Sequence, residues 1–365
     1  MANKIRVGMV GITPSRGFSS IAHMPALQGL PEFTVVAVCT TRQESADAAA
    51  KHYNVPLAFA DPVKLAQHPD VDLVTVCVNV PDHYTPVMAA IDAGKHVYSE
   101  WPLGRNTEEA SRMLAAAEAK GVCHAVGLQG RVSPAINYVR DLVADGFVGK
   151  PLSCTWFVNA ANWGATLDRA YQAYFKNGAN LLTIPGGHNL DALVHILGEF
   201  REVSAHVVTQ RSHIPLEGSG ELIPMDVPDQ LALSGIVGDG VVVAFQVRGG
   251  MTRGNEFLCE IHGTEGDLVL AATMRTSTQR QELSVRGARG TQKDIADMPV
   301  PDKYRWVPGT VPAGSAYNVG QLYAKLAAAI QNGTPMHPGF DDAVRRHRMI
   351  DMIVAASQLG TKQRA

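Results

Sequence analysis

The 365-residue sequence predicts an α/β protein: a doubly wound parallel sheet followed by an α+β domain with a large, mainly antiparallel sheet. Three observations lead there. Up to about residue 130, continuous apolar runs alternate with helical patterns, the signature of strands buried on both faces of a parallel sheet. Beyond Gly130 strand-like stretches dominate, with glycine-bearing hairpin signals between them. The length exceeds one ordinary core, so two domains are expected, at 1–130 and 131–365.

In the first part, Ile5–Val10, Phe33–Cys39, Val71–Val78 and His96–Ser99 read as strands, and Ser45–His52, Thr85–Ala93 and Thr107–Lys120 as helices. The last helix carries its own boundaries. Asn106 or Thr107 can cap the free amides, Glu108 and Glu109 suit the first turn, and Gly121 stops it. In the second part an amphipathic helix, Ser133–Asp145, precedes strands at Leu152–Val158, Val203–Gln210, Leu231–Val237, Val241–Val247, Phe257–Ile261 and Leu268–Leu270. Gly238-Asp239-Gly240 and Gly263-Thr264-Glu265-Gly266 read as hairpin turns. Helical patterns recur at Leu190–Leu197, Val319–Gln331 and Phe340–Leu359, and the polar stretch Thr273–Pro312 reads as a long excursion or a partly mobile segment.

Composition removes several functions. Charged residues are 18% and hydrophobic residues 46%, enough to bury a large core. Lys plus Arg number 32 against 34 for Asp plus Glu, a net charge of −2, which argues against a nucleic-acid partner. Arg345-Arg346-His347-Arg348 is flanked by Asp341, Asp342 and Asp351 and reads as a salt-bridged, solvated helix face. No apolar run approaches the ~18–20 residues of a membrane helix. Met1-Ala2-Asn3-Lys4 leads directly into the first strand, so no signal peptide is expected. Five scattered cysteines without a Cys-x-x-Cys suit reduced thiols, so a cytoplasmic protein is expected. The thirteen histidines form no metal-binding motif, and no metal is expected.

The loop after the first strand, Gly8-Met9-Val10-Gly11-Ile12-Thr13, resembles a dinucleotide turn in which backbone amides face a pyrophosphate. Gly11 can serve as the turn glycine. Thr13 stands where a second glycine is expected, and Pro14, Ser15 and Arg16 lengthen the loop. The second strand ends in Thr40-Thr41-Arg42 with no acid to accept from a ribose 2′-hydroxyl. Hydroxyls beside a guanidinium suit a 2′-phosphate, so NADP is expected in preference to NAD, the alternative being a solvated Arg42 at a helix start.

Further motifs are Val80-Pro81-Asp82-His83-Tyr84, then Ala93-Gly94-Lys95-His96-Val97-Tyr98-Ser99-Glu100-Trp101-Pro102-Leu103, and Gly186-Gly187-His188-Asn189-Leu190-Asp191. With the glycine turn at 263–266 they resemble the glucose–fructose oxidoreductase / inositol dehydrogenase family (Gfo/Idh/MocA) over nearly the whole chain. Glu100-Trp101-Pro102, the lengthened phosphate loop and Pro228-Asp229-Gln230 resemble the branch of the fungal galactose-pathway repressor and its bacterial relatives. The resemblance implies a Rossmann domain, then a domain whose open sheet face carries substrate and often the oligomer interface, as a homodimer or homotetramer. It places Val80, His83, Glu100 and Trp101 at the cofactor. It also implies His188 as the catalytic group, with Asp191 either orienting it or serving the helix N-terminus. Trp101, Arg131, Asn162, Trp163, Tyr174, His188 and Asp191 are expected to frame the substrate, the alternative for the aromatics being a packed loop. The family's usual lysine and aspartate are replaced here by Trp101 and Ile184, and indole has no titratable proton. Lys95 is expected to face solvent rather than stand in for the lysine.

Three functions follow as expectations. The first is an NAD(P)-dependent oxidoreductase moving hydride to or from a sugar, glycoside or related polyhydroxy compound. The second is a non-catalytic dinucleotide-binding regulator acting through protein contacts. The third is a lyase or hydrolase that uses transient oxidation by NAD(P).

Overall fold

The computed structural model describes residues 4–14, 17–160, 163, 166–250, 256–272, 278–280 and 282–365. The chain begins with β1 (Ile5–Val10), α1 (Met24–Gly29), β2 (Phe33–Cys39), α2 (Gln43–Tyr53), β3 (Leu57–Phe59), α3 (Pro62–Gln67), β4 (Leu73–Val76), α4 (Tyr84–Asp92), β5 (His96–Ser99), α5 (Thr107–Lys120) and β6 (His124–Val126). It continues through α6 (Pro134–Ala144), β7 (Pro151–Ala160), α7 (Gly187–Leu197), β8 (Phe200–Val208), β9 (His213–Pro215), β10 (Leu222–Pro224), β11 (Gln230–Val237), β12 (Val241–Gly249), β13 (Phe257–Gly263), β14 (Gly266–Ala272), β15 (Ser284–Arg289) and β16 (Ala296–Asp297). It ends with α8 (Ser315–Asn332), α9 (Phe340–Leu359) and β17 (Gln363–Arg364).

Two units result: Met1–Gln129 with Trp306–Arg345, and Gly130–Arg305 with Arg346–Ala365. This corrects the expected 131–365 domain, because residues 306–345 return to the first unit. The reason is packing. Tyr323 of α8 is fully buried, its hydroxyl 3.0 Å from Thr75 Oγ1 and 2.9 Å from His23 Nδ1. Ahead of it, Thr310 Oγ1 donates to the Gly29 carbonyl at 2.7 Å.

The first unit holds a six-stranded, all-parallel sheet in the order β3-β2-β1-β4-β5-β6. The order reverses between β1 and β4, and such a switch point opens a crevice at the strands' carboxyl ends. β4 is buried at every position, as a strand covered on both faces must be. Asn106 caps α5 by accepting from the Glu109 amide at 2.9 Å, and Gly121 ends it at φ +62°. The short β3, β6, α1 and α3 have no counterpart among the sequence expectations, since pieces this short carry too little periodicity.

The second unit is built on a nine-stranded sheet, β16-β15-β14-β13-β7-β12-β11-β8-β17, antiparallel except for β12 beside β7. β12 alternates buried and exposed along its length, sending Val241, Val243, Phe245 and Val247 into the core. Gly238 and Gly240, both at positive φ, form the expected turn between β11 and β12. A Cβ on Gly238 would lie 2.0 Å from the Leu197 carbonyl oxygen, so only glycine fits. The expected excursion at Thr273–Pro312 is corrected in part: β15 pairs antiparallel with β14, and β16 with β15. Arg286, Gly287 and Arg289 dilute the hydrophobic signal of β15. A membrane-crossing helix is not found, since no helix among the described residues is long and apolar enough.

Candidate functional site

In the first unit the site grows from the ends of β1, β2, β4 and β5. Gly11 follows β1 at φ +91°, and its amide donates to the Cys39 carbonyl at 2.9 Å. A Cβ there would lie 2.8 Å from the Cys77 oxygen and 2.7 Å from Val78 Cγ1. The turn glycine is therefore obligatory, and it brings backbone to the switch point as a dinucleotide cradle needs. Thr13 is exposed, while Ser15 and Arg16 lie outside the described residues.

At the end of β2, Thr40 Oγ1 donates to the Arg42 carbonyl at 2.9 Å and meets Ser45 Oγ at 2.6 Å. Ser45 Oγ also donates to the Arg42 carbonyl, at 2.8 Å. The backbone at the head of α2 is thus pinned, with Thr41 and Arg42 exposed. Among the described residues the Arg42 guanidinium makes no ion pair or hydrogen bond, which the solvated-arginine alternative fits equally well.

After β4, Val80 is buried and His83 places its ring between two loops, Nε2 3.1 Å from the Val78 carbonyl and Nδ1 3.3 Å from that of Leu103. Burial pushes its pKa down, so the ring stays neutral and can donate to only one of the two carbonyls. It shapes the loop after β4.

Glu100 follows β5 and is held from two sides. Gln129 Nε2 donates to Oε1 at 2.8 Å and to Oε2 at 3.1 Å, and His23 Nε2 lies 2.9 Å from Oε1. The carboxylate only accepts, so Nε2 carries the His23 proton. Nδ1 lies 2.9 Å from the Tyr323 hydroxyl, which is 3.0 Å from that of Thr75. Burial pushes the phenols of Tyr98 and Tyr323 well above their usual range, keeping both neutral. Sequence reasoning missed His23, Gln129 and Tyr323 because their partners are distant in the chain. Trp101, next to Glu100, is buried. Lys95 lies ahead of β5, its Nζ bonded to the His68 carbonyl at 3.3 Å, which gives it a partner that the solvent-facing expectation lacked.

In the second unit, His188 sits in the first turn of α7 and is 5% exposed. α7 is tied to the sheet beneath it: Trp156 Nε1 donates to Asn189 Oδ1 at 3.1 Å, and Asn189 Nδ2 to the Pro185 carbonyl at 2.8 Å. Asp191 does not serve as the helix N-terminal carboxylate. It takes Arg131 in a fork, Nε at 2.9 and 3.0 Å and Nη2 at 2.7 Å, with Arg346 Nε at 3.4 Å. Two guanidinia satisfy this buried carboxylate, which opposes a role in orienting His188.

Trp163 and Tyr174 are half-buried against a small apolar cluster that includes Leu167, Ile214 and Met225, so packing accounts for one face of each ring. Asn162 lies outside the described residues. Ile184 is in the short helical turn Leu182–Gly186 that leads into α7.

The basic run on α9 is a correction. Arg345 pairs with Asp341 and Asp342 as the solvated-face reading requires, but Arg346 is fully buried, paired with Glu199 and Asp191, and His347 is buried too. His337, Asp341 and Asp342 come together in the first unit, where Arg345 and the Gly339 amide already occupy the Asp342 carboxylate.

A parallel sheet with an obligatory glycine at its switch point, joined in the chain to a nine-stranded mixed sheet, defines a dinucleotide-binding protein of the oxidoreductase type. Residues 5–128 match the model of the oxidoreductase family, NAD-binding Rossmann fold, and residues 134–272 match that of the Gal80p C-terminal domain. The chain thus matches the Gfo/Idh/MocA oxidoreductase family in its Rossmann part and a Gal80-like domain in its second part. It is 29% identical to dehydrogenase aclE of Aspergillus oryzae, covering 99% of this chain and 98% of that one. It is 28% identical to the galactose/lactose metabolism regulatory protein GAL80 of Saccharomyces cerevisiae, over 74% of this chain and 67% of that one. In fold it is similar to levoglucosan dehydrogenase in complex with NADH and levoglucosan, with a TM-score of 0.85, 23% identity, and 99% of both chains covered.

Proposed function

We propose that the protein is an NAD(P)-dependent dehydrogenase or reductase acting on a sugar, glycoside or related polyhydroxy compound. The observation that carries the cofactor reading is Gly11, whose missing Cβ and positive φ let the backbone meet the switch point. The nicotinamide, when bound, supplies hydride exchange with a carbinol or carbonyl. The turn at Gly11 would hold the pyrophosphate, and Glu100 and Trp101 would border the nicotinamide half. Arg42 would take a 2′-phosphate, with Thr40 and Thr41 beside it, favouring NADP.

The proton of the reacting hydroxyl needs an acid–base group, and His188 would take or return it at an imidazole nitrogen. The Arg131–Asp191 fork would act by holding α6 and α7 in register rather than by touching substrate. Full-length similarity to a dehydrogenase supports turnover. The Gfo/Idh/MocA resemblance supports a polyhydroxy substrate and pairing through the open sheet face into a homodimer or homotetramer, while the scattered cysteines, the near-balanced charge and the short apolar runs support a cytoplasmic setting without nucleic-acid or membrane partners. The test is a panel of sugars, glycosides and polyols with each cofactor, following the absorbance of reduced nicotinamide. Turnover with at least one polyhydroxy compound is expected, and cofactor binding without any turnover refutes the reading.

A second reading, a dinucleotide-binding regulator, is favoured by buried Trp101 and by Ile184 at positions where the family has polar groups. Saturable dinucleotide binding with no turnover across the panel is its expected result.

A further inference from the structure

The loop after β1 has a chemical difficulty. Pro14 carries no amide hydrogen, so the Thr13–Pro14 link can offer a diphosphate only a carbonyl oxygen. An oxygen of that polarity facing a phosphate repels it. A loop of this composition therefore works only if that carbonyl is turned aside and held there.

Two hydroxyls do the holding, and a third fixes the turn before them. Ser20 Oγ donates to the Thr13 carbonyl, and Tyr53 Oη, at the last position of α2, donates to the same oxygen at 3.0 Å and lies 3.4 Å from the Pro14 carbonyl. Ser19 Oγ donates to the Gly11 carbonyl at 2.9 Å. A trans peptide sets its N–H opposite its C=O, so fixing the Gly11 oxygen also fixes the direction of the Ile12 amide. The Tyr53 ring is half-buried and meets the ring of His52 edge-on, with centroids 4.6 Å apart.

We propose that Tyr53 is a positioning residue for diphosphate recognition, its hydroxyl keeping the Thr13 carbonyl off the face that receives the cofactor's pyrophosphate. This rests on the reading of the first unit as an NAD(P) site. The hydroxyl replaces what a second glycine does elsewhere by backbone freedom alone. Its influence is confined to ligands that carry a diphosphate.

The test is calorimetry on the full-length protein with NADP, ADP-ribose and adenosine 2′-monophosphate, for wild type, Tyr53→Phe, Ser20→Ala and the double variant. Tyr53→Phe is expected to weaken NADP and ADP-ribose roughly 3- to 10-fold, leaving the monophosphate within about twofold and the thermal midpoint unchanged. Because Ser20 and Tyr53 share one acceptor, the double variant is expected to lose less than the product of the single losses. Should Tyr53→Phe prove unstable, Ser20→Ala carries the same comparison at the same oxygen. Equal loss for all three ligands, or no loss for any, overturns the role of Tyr53. A wild-type protein that binds none of the three overturns the NAD(P) reading and this role together.

Discussion

Arg131 grips Asp191 through both Nε and Nη2, at 2.7 to 3.0 Å, with the two side chains 13% and 1% exposed. Charges buried this deeply are tolerated only while paired. Replacing Asp191 with Asn keeps the shape but takes away the charge that Arg131 forks, and leaves Arg346 with Glu199. Asp191→Asn is expected to destabilise the protein by about 3–5 kcal/mol in urea denaturation, whereas a loss under about 1 kcal/mol contradicts the pairing.

Gly11→Ala meets a backbone that has no room for it. The new Cβ would crowd the Cys77 oxygen, at a φ of +91° that L side chains avoid. The variant is expected to lose about 1–2 kcal/mol of stability and most of its dinucleotide affinity. Calorimetry with NADP and NAD checks this, and an unaltered affinity for both contradicts a cradle at Gly11.

Arg42→Ala is expected to weaken NADP roughly tenfold and to leave NAD nearly untouched, because a guanidinium bonds to the 2′-phosphate that only NADP carries. Equal losses for the two cofactors remove the basis for an NADP preference.

His83 gives a pH dependence whose sign is fixed by burial. Its pKa in the fold lies below the ordinary 6.5, so under acidic conditions the unfolded chain binds a proton that the fold does not. Its contribution is complete above pH 6.5 and is lost as pH falls from there toward the lower folded value. In denaturation midpoints taken across that window, His83→Asn is expected to decline less steeply than wild type. Parallel slopes contradict the neutral, carbonyl-facing ring.

Much of the fold is legible in the sequence where one element carries its own signals. Thr107–Lys120 has a cap, an acidic first turn and a glycine stop, and it forms between those limits. What escaped depends on distant partners. The return of residues 306–345 to the first unit rests on Tyr323 meeting Thr75 and His23, hundreds of residues away in the chain. β15 owes its place to β14 more than to its own Ser-Val-Arg-Gly-Ala-Arg run. At the site, Gly11 follows from local pattern, whereas the helix carrying His188 begins at Gly187, three residues ahead of the expected Leu190. The ties of Asp191 to Arg131 and of Glu100 to His23 join residues 60 and 77 positions apart, beyond any local signal.

The most direct measurement compares His188→Ala with wild type for cofactor affinity and for turnover of a polyhydroxy substrate. The variant is expected to bind NADP within about twofold of wild type while turnover falls at least about 100-fold, the scale of a lost acid–base group. Turnover by His188→Ala at the wild-type rate, or a wild-type protein that binds dinucleotide and turns over nothing, contradicts an oxidoreductase whose proton is handled by His188.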